Sequence, residues 1–338
     1  MTSLYSLQRR LLKRTFFDLL RFAGWDELTL KRHGRAGRAL ILSLHGVSPD
    51  PNPYWPALDP TLFRELVSWL RRRTTITLLR DLPRLAASDV KRPLVVLSFD
   101  DGYQDFVEYI HPILDELGIR ANVNIIGESV ETGEPPEIVR FCDLLDAAPV
   151  HELRALRLRD FNVALAGEDP LEKERFGAAT STYLKALDPA ERGALLTDLE
   201  LSLPRDGNTR KTEMMREADV VAMADAGHEV GLHSYCDESM ALVSDQFFER
   251  DLERCTGVLT RLGLETKVYS FPNGSYRPSQ VEVLKRRGFD RVLLVGERPT
   301  WPTSEVHTRL TVRGHSLSEI VGRSVGHGAR RSGSLNRA

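Results

Sequence analysis

The chain has 338 residues with 46 Lys/Arg, 48 Asp/Glu, 41% hydrophobic residues and three cysteines. This is an ordinary globular composition with enough chain to bury a large core, and a net charge of −2 excludes a dedicated nucleic-acid binder. The charge is uneven: residues 1–38 carry nine bases and three acids, residues 323–338 four bases and no acid, which leaves −12 for residues 39–322.

In chain order, residues 1–30 have the pattern of one amphipathic helix. Leu12, Phe16, Leu19, Leu20 and Ala23 share an arc, with Arg10, Arg14 and Arg21 roughly opposite. Two readings follow: a helix that packs this stripe on the body, or a peripheral contact with anionic membrane through residues 4–23. Bases and Asp18 interrupt the apolar run, so it does not read as a signal peptide. No stretch of about 18 apolar residues occurs, so no span is expected. Cys142, Cys236 and Cys255 show no paired spacing. These observations predict a cytoplasmic protein, and the second reading of the helix would place it peripherally at the inner membrane.

Beyond the linker that ends at residue 38, continuous apolar runs predict strands at 39–44, 94–99, 121–126, 229–232, 267–271, 291–295 and 310–312. Helical patterns lie between them near 61–72, 104–117, 213–226, 245–262 and 278–287. This alternation predicts an α/β fold, a (β/α) barrel or a distorted relative of one, over residues 39–322. Residues 128–215 form a charged helical insertion, expected as a lid or subdomain near the site. The Gly/Ser/Arg composition of 323–338 predicts a disordered basic tail.

In such a barrel, functional side chains sit just past the C-terminal ends of strands. Four segments qualify. The run Leu94-Val-Val-Leu-Ser-Phe-Asp100-Asp101-Gly102 places two carboxylates after a buried strand, fit for one base and one hard metal ligand. A bare Asp-Gly turn is the plainer reading, but the helical periodicity that follows does not suit a hairpin. His233 follows the strand 229–232 with Asp237 four residues on, a reach that suits two ligands on one ion; a polar cluster at a helix start would look the same. Pro272-Asn273-Gly274 either offers backbone N–H groups to an oxyanion or merely ends a strand. His45, at the end of the first strand, is either an acid–base group or a loop-bonded histidine.

Taken together these segments carry a resemblance. Ser98-Phe-Asp-Asp-Gly102 resembles the first motif of the polysaccharide deacetylase (NodB-homology) family. Gly227 to Asp237 is similar to its second motif, His-Ser/Thr-x-x-His. Residues 269–274 with Leu284-Lys-Arg-Arg-Gly-Phe289 resemble its Pro-Tyr-Gly turn and the helix after it, and 42–49 resembles the opening of the bacterial exopolysaccharide-associated branch. The resemblance runs in order from about residue 39 to 320.

It implies a deformed (β/α)7 barrel and a metal-dependent hydrolase that removes N-acetyl groups from amino sugars of a polysaccharide, oligosaccharide or lipid-linked glycan. In that scheme Asp100 is the base, Asp101 and His233 hold a divalent metal, His45 is the acid, and Pro272, Asn273 and Gly274 line the oxyanion and substrate site. The sequence departs from the family where it matters most. Asp237 stands in place of the second metal histidine, Ser270 where many members carry an Arg that pairs with the base, and Asn273 in place of the turn's Tyr. Zinc is the metal expected first, with manganese, cobalt or nickel opened by the carboxylate at 237. The alternative left open is a carbohydrate-binding pseudoenzyme. A glycosidase does not fit, because paired glycosidase carboxyls face each other about 5–9 Å apart across a bond, whereas Asp100 and Asp101 are neighbours.

Overall fold

A computed structural model describes residues 2–88, 92–158, 161, 165–204 and 211–328, with side chains from residue 11 onward. Eight parallel strands are present: β1 (Ala39–Leu44), β2 (Thr75–Ile76), β3 (Leu94–Phe99), β4 (Asn122–Ile125), β5 (Glu229–Leu232), β6 (Val268–Ser270), β7 (Arg291–Val295) and β8 (Val306–Thr311). Seven of them close a ring in the order β1-β3-β4-β5-β6-β7-β8, sealed by the pairing of β8 with β1. The fold is a (β/α)7 barrel.

The two-residue β2 explains part of the distortion. It pairs with Leu94 and Val95 at the start of β3, whereas β4 joins the same edge only at Ser98 and Phe99. β2 therefore fills the bottom of a gap that β4 enters late. The turn after β2 is tied across the barrel floor by Glu229, which accepts from the Leu79 and Arg80 amides at 2.8 and 3.0 Å.

Every residue of β1, β3, β4 and β5 is buried. Such strands have an apolar outer face covered by helices. The inner face of the barrel is not uniformly apolar: Ser98 of β3, Asn122 and Asn124 of β4 and Arg309 of β8 are all buried. The helices begin where the sequence provides caps. Asp59, Asp169 and Asp188 each precede a proline, and each carboxylate accepts from backbone amides of the first turn of helices Pro60–Arg73, Pro170–Lys185 and Pro189–Ser202.

The insertion builds a second apolar core from Phe141, Leu144, Leu145, Phe176, Leu184, Leu196 and others, joined by Tyr54 from the loop after β1. Its helices lie against that loop, and this brings the insertion to the C-terminal end of the barrel.

Three expectations need correction. The last strand is Val306–Thr311, beginning four residues earlier than the apolar run alone indicated, because its alternating His307, Arg309 and Thr311 broke that run. The N-terminal stretch is two helices, Thr2–Phe22 and Trp25–Arg35, which meet at Gly24. The segment from 323 does not begin a tail: Arg323 and Ser324 complete helix Leu317–Ser324, and Val325 is fully buried. Residues 329–338 of the expected tail lie outside the described residues.

Candidate active site

The C-terminal ends of β3, β5 and β6 bring together the groups that the sequence had marked. Asp101, His233 and Asp237 each offer one ligand atom, and these atoms all lie within 4.8 Å of one another. His233 Nε2 is 3.4 Å from Asp101 Oδ1 and 4.0 Å from Asp237 Oδ1. Its other ring nitrogen, Nδ1, is 3.0 Å from the Ser270 carbonyl. A carbonyl only accepts, so Nδ1 carries the proton and Nε2 is left as a lone pair facing the two carboxylates.

The backbone is distorted to achieve this. Five non-glycine residues have left-handed φ among those described, and four of them are Asp101 (75°), Ser234 (62°), Asp237 (57°) and Asn273 (57°). Strain of this kind persists only where surrounding structure over-determines it. Here Asp251, buried in helix Asp245–Arg261, accepts from the Tyr235 amide at 3.0 Å and the Cys236 amide at 3.3 Å and so holds the turn from below. The Cys236 Sγ turns to Asp251 at 3.2 Å and not into the site; burial and the adjacent Asp251 push its thiol pKa well up. It is no ligand.

Asp100 is held by four donors. Arg309 from β8 gives Nη1 to Oδ1 and Nη2 to Oδ2, both at 2.8 Å. Asn124 Nδ2 donates to Oδ1 at 2.8 Å, and Ser270 Oγ donates to the same oxygen at 3.2 Å. Burial on its own pushes this carboxyl up, but Arg309, His233 and the Arg309 hydrogen bonds overcome it and hold it well below the usual carboxylate range. Asp100 is therefore a fixed anion.

Two of these partners were hidden in the sequence. The family's usual base-pairing Arg position is Ser270, and Arg309 reaches the same carboxylate from a different strand. Asn124 and Asn122 sat inside what read as an apolar run; their period of two, the inward face of β4, was the available signal.

The electrostatics of the trio fit a cation. Burial raises Asp237, Lys185 offsets part of that and Asp101 adds to it, so that its pKa stands at about 8. His233 is lowered, by burial first, with Asp100 and Asp101 pulling the other way. Two crowded carboxylates and a correctly tautomerised imidazole form a donor set for a divalent metal. Asp237 lies close enough to its partners to serve where a histidine was expected.

The trio opens into a cavity of about 90 Å³, lined also by His45, Trp55, Tyr103, Lys185, Asn273 and Arg309. His45 is placed by packing: a Cβ at Gly46 would come within 2.6 Å of Asp105, whose Oδ2 accepts from the Val47 amide at 2.7 Å. Lys185, the last residue of an insertion helix, donates to Asn273 Oδ1 and lies 5.3 Å from the Trp55 ring centre. The insertion thus reaches the site directly, through Lys185, a residue that no spacing in the sequence had marked. The Gly274 and Ser275 amides close their own turn onto Phe271 and Pro272, so Asn273 is the member of this turn better placed to serve a ligand. A second cavity of about 380 Å³ shares His45, Trp55, Tyr103 and Val139 and continues along Asp50, Asn52, Asp105, Glu108 and Glu213.

Comparisons with known proteins agree with this geometry. The sequence pattern described as "Polysaccharide deacetylase" matches residues 87–151 and 206–292, which include Asp100, Asp101, His233, Asp237 and Asn273. Comparison with curated proteins finds no matching sequence. Among solved structures, IcaB from Ammonifex degensii is similar at a TM-score of 0.53 and 17% identity, over 86% of this chain and 97% of that one. The Streptococcus pyogenes deacetylase PplD is similar at 0.50 and 12%, over 81% and 92%. The de-N-acetylase from Aggregatibacter actinomycetemcomitans is similar at 0.50 and 15%, over 80% and 94%. At these identities the structures speak for the fold, and the matched motifs speak for the family. The chain belongs to the polysaccharide deacetylase family and is a hydrolase of its amide-cleaving type.

Proposed function

We propose that the protein is a metal-dependent N-deacetylase acting on acetylated amino sugars of a polysaccharide, oligosaccharide or lipid-linked glycan. The observation that carries this reading is the pairing of a fixed anion, Asp100, with the Asp101–His233–Asp237 trio on one barrel rim. A divalent cation held by the trio would supply Lewis-acid polarisation of the acetamide carbonyl and acidify a water. Zinc is the first candidate, and the two carboxylates widen the choice to manganese, cobalt or nickel.

The remaining steps fall to the chain's own residues. Asp100 accepts the proton of the attacking water, and its bonds to Arg309 and Asn124 keep it aimed. The water oxygen adds to the acetyl carbon, and Asn273 donates to the oxyanion that develops. His45 delivers a proton to the amine as the carbon–nitrogen bond breaks, leaving acetate and a free amino sugar. Lys185, bonded to Asn273, adds positive charge on the same side.

The second cavity supports a substrate longer than one sugar, since its volume falls within the range of ligand sites and it shares a wall with the reaction centre. Segment 42–49 supports the exopolysaccharide-associated branch within the family. The cysteines are all free, which suits a reducing compartment and hence the cytoplasm. No described helix is long and apolar enough to cross a membrane.

Acetate release from N-acetylglucosamine oligomers, assayed before and after chelation, tests the reading. Release should fall to background on chelation and return with added metal. Binding of the oligomers with no acetate under any metal would instead support the pseudoenzyme alternative.

A further inference from the structure

Helix Thr2–Phe22 is seated on the body by the opposite side from the one its amphipathic pattern predicts. Its contact side is Phe17, 3% exposed, with Lys13 and Arg21 flanking it one turn away. Phe17 occupies a notch in the last helix that a side chain at 322 would fill: a Cβ on Gly322 would lie 2.5 Å from the ring. Lys13 bridges to Glu319 at 2.5 Å, and the Arg323 guanidinium lies 5.9 Å from the Phe17 ring centre. This seat fixes the rotation of the helix about its axis.

The apolar stripe consequently faces away from the protein. Leu11, Leu12, Phe16, Leu19 and Phe22 are 56%, 70%, 50%, 62% and 93% exposed. Helical steps of 100° place all five on an arc of about 140° centred opposite Phe17. Soluble proteins seldom leave so many large apolar side chains together in water. Trp25 and Leu28 of the next helix are exposed as well.

The surrounding charge identifies the occupant. Arg14 borders the stripe, and Lys31, Arg32 and Arg35 are exposed on the second helix. Of the three acids in this region Asp26 is buried and Glu27 pairs with Arg73, which leaves Asp18 beside Arg14 as the exposed one. A second copy docked face to face would bring like charges together. We propose that this face docks on an anionic lipid bilayer, with Leu12, Phe16, Leu19 and Phe22 entering the acyl boundary and the bases meeting the headgroups. The proposal does not depend on the chemistry assigned to the barrel; it adds a surface at which that chemistry meets lipid-linked or nascent glycan.

The test is flotation of the full chain with vesicles of phosphatidylcholine alone and of phosphatidylcholine with phosphatidylglycerol. The protein should float with the anionic vesicles only, and less at high salt. The triple variant Leu12→Ser, Phe16→Ser, Leu19→Ser changes exposed positions, so its thermal unfolding should match the parent's while the vesicle-bound fraction falls by about tenfold or more. Parent protein that fails to float, or a variant that floats equally well, overturns the proposal. A parent dimer that the triple variant abolishes, with no flotation, assigns the face to a second copy and overturns it too. All these readouts stand whether or not acetate is released.

Discussion

Asp100→Asn should lower the rate of acetate release by roughly 100- to 10,000-fold while leaving metal content unchanged. The carboxylate is held by positive and neutral donors and is not gathered with the trio. Asparagine keeps the size of the side chain and one acceptor oxygen but loses the charge that takes a proton from water. The split between rate and metal content is the informative part. Asp101→Ala should lose both, because Asp101 belongs to the ligand set. A variant at 100 that keeps full turnover, measured as acetate per enzyme per second, removes Asp100 from the role of base.

Arg309→Leu should cost about 3–5 kcal/mol of stability and shift the acid limb of the rate profile to higher pH. Arg309 is 1% exposed and both of its terminal nitrogens meet Asp100, so its loss leaves a buried carboxylate without its counter-charge. The sign follows from the direction of the shift. In the parent, Asp100 titrates below its unfolded value, so its contribution to stability is present above the ordinary carboxylate range and fades as pH falls below it. Without Arg309 the effect of burial, which pushes the carboxyl up, is no longer overcome. Asp100 then takes up a proton at higher pH, and the base is lost earlier on acidification. Arg309→Lys retains charge but only a single-pronged contact, and should fall between the two. Thermal unfolding against pH, together with the pH–rate profile, reads both effects. A leucine variant with parental stability and an unmoved acid limb contradicts the account of this pair.

The barrel and the trio were readable because polar residues interrupt buried strands at their ends. Asp100, Asp101 and His233 each stand directly after an apolar run, and a closed parallel sheet brings all such ends to one rim. Arg309 was not readable. It sits within an alternating stretch that did not look like a buried strand, and its partner lies 209 positions away. Lys185 was missed for a related reason: spacing within an insertion says nothing about where one of its helices returns to the barrel. The N-terminal helix shows a different limit. Periodicity located its apolar arc, but only the notch at Gly322 and the ion pair of Lys13 with Glu319 show that this arc points outward.

The departure at 237 bears directly on the metal. A carboxylate replaces an imidazole, yet its ligand atom stays within reach of Asp101 and His233, and burial first, with the charge of Asp101 adding to it, raises its pKa. The most direct measurement is the divalent metal content of the purified chain beside that of Asp101→Ala, by elemental analysis after exhaustive dialysis, with acetate release recorded on the same samples. The account predicts close to one metal per parent chain, none in the variant, and acetate only where metal is present. A parent chain that releases acetate with no bound metal would contradict it.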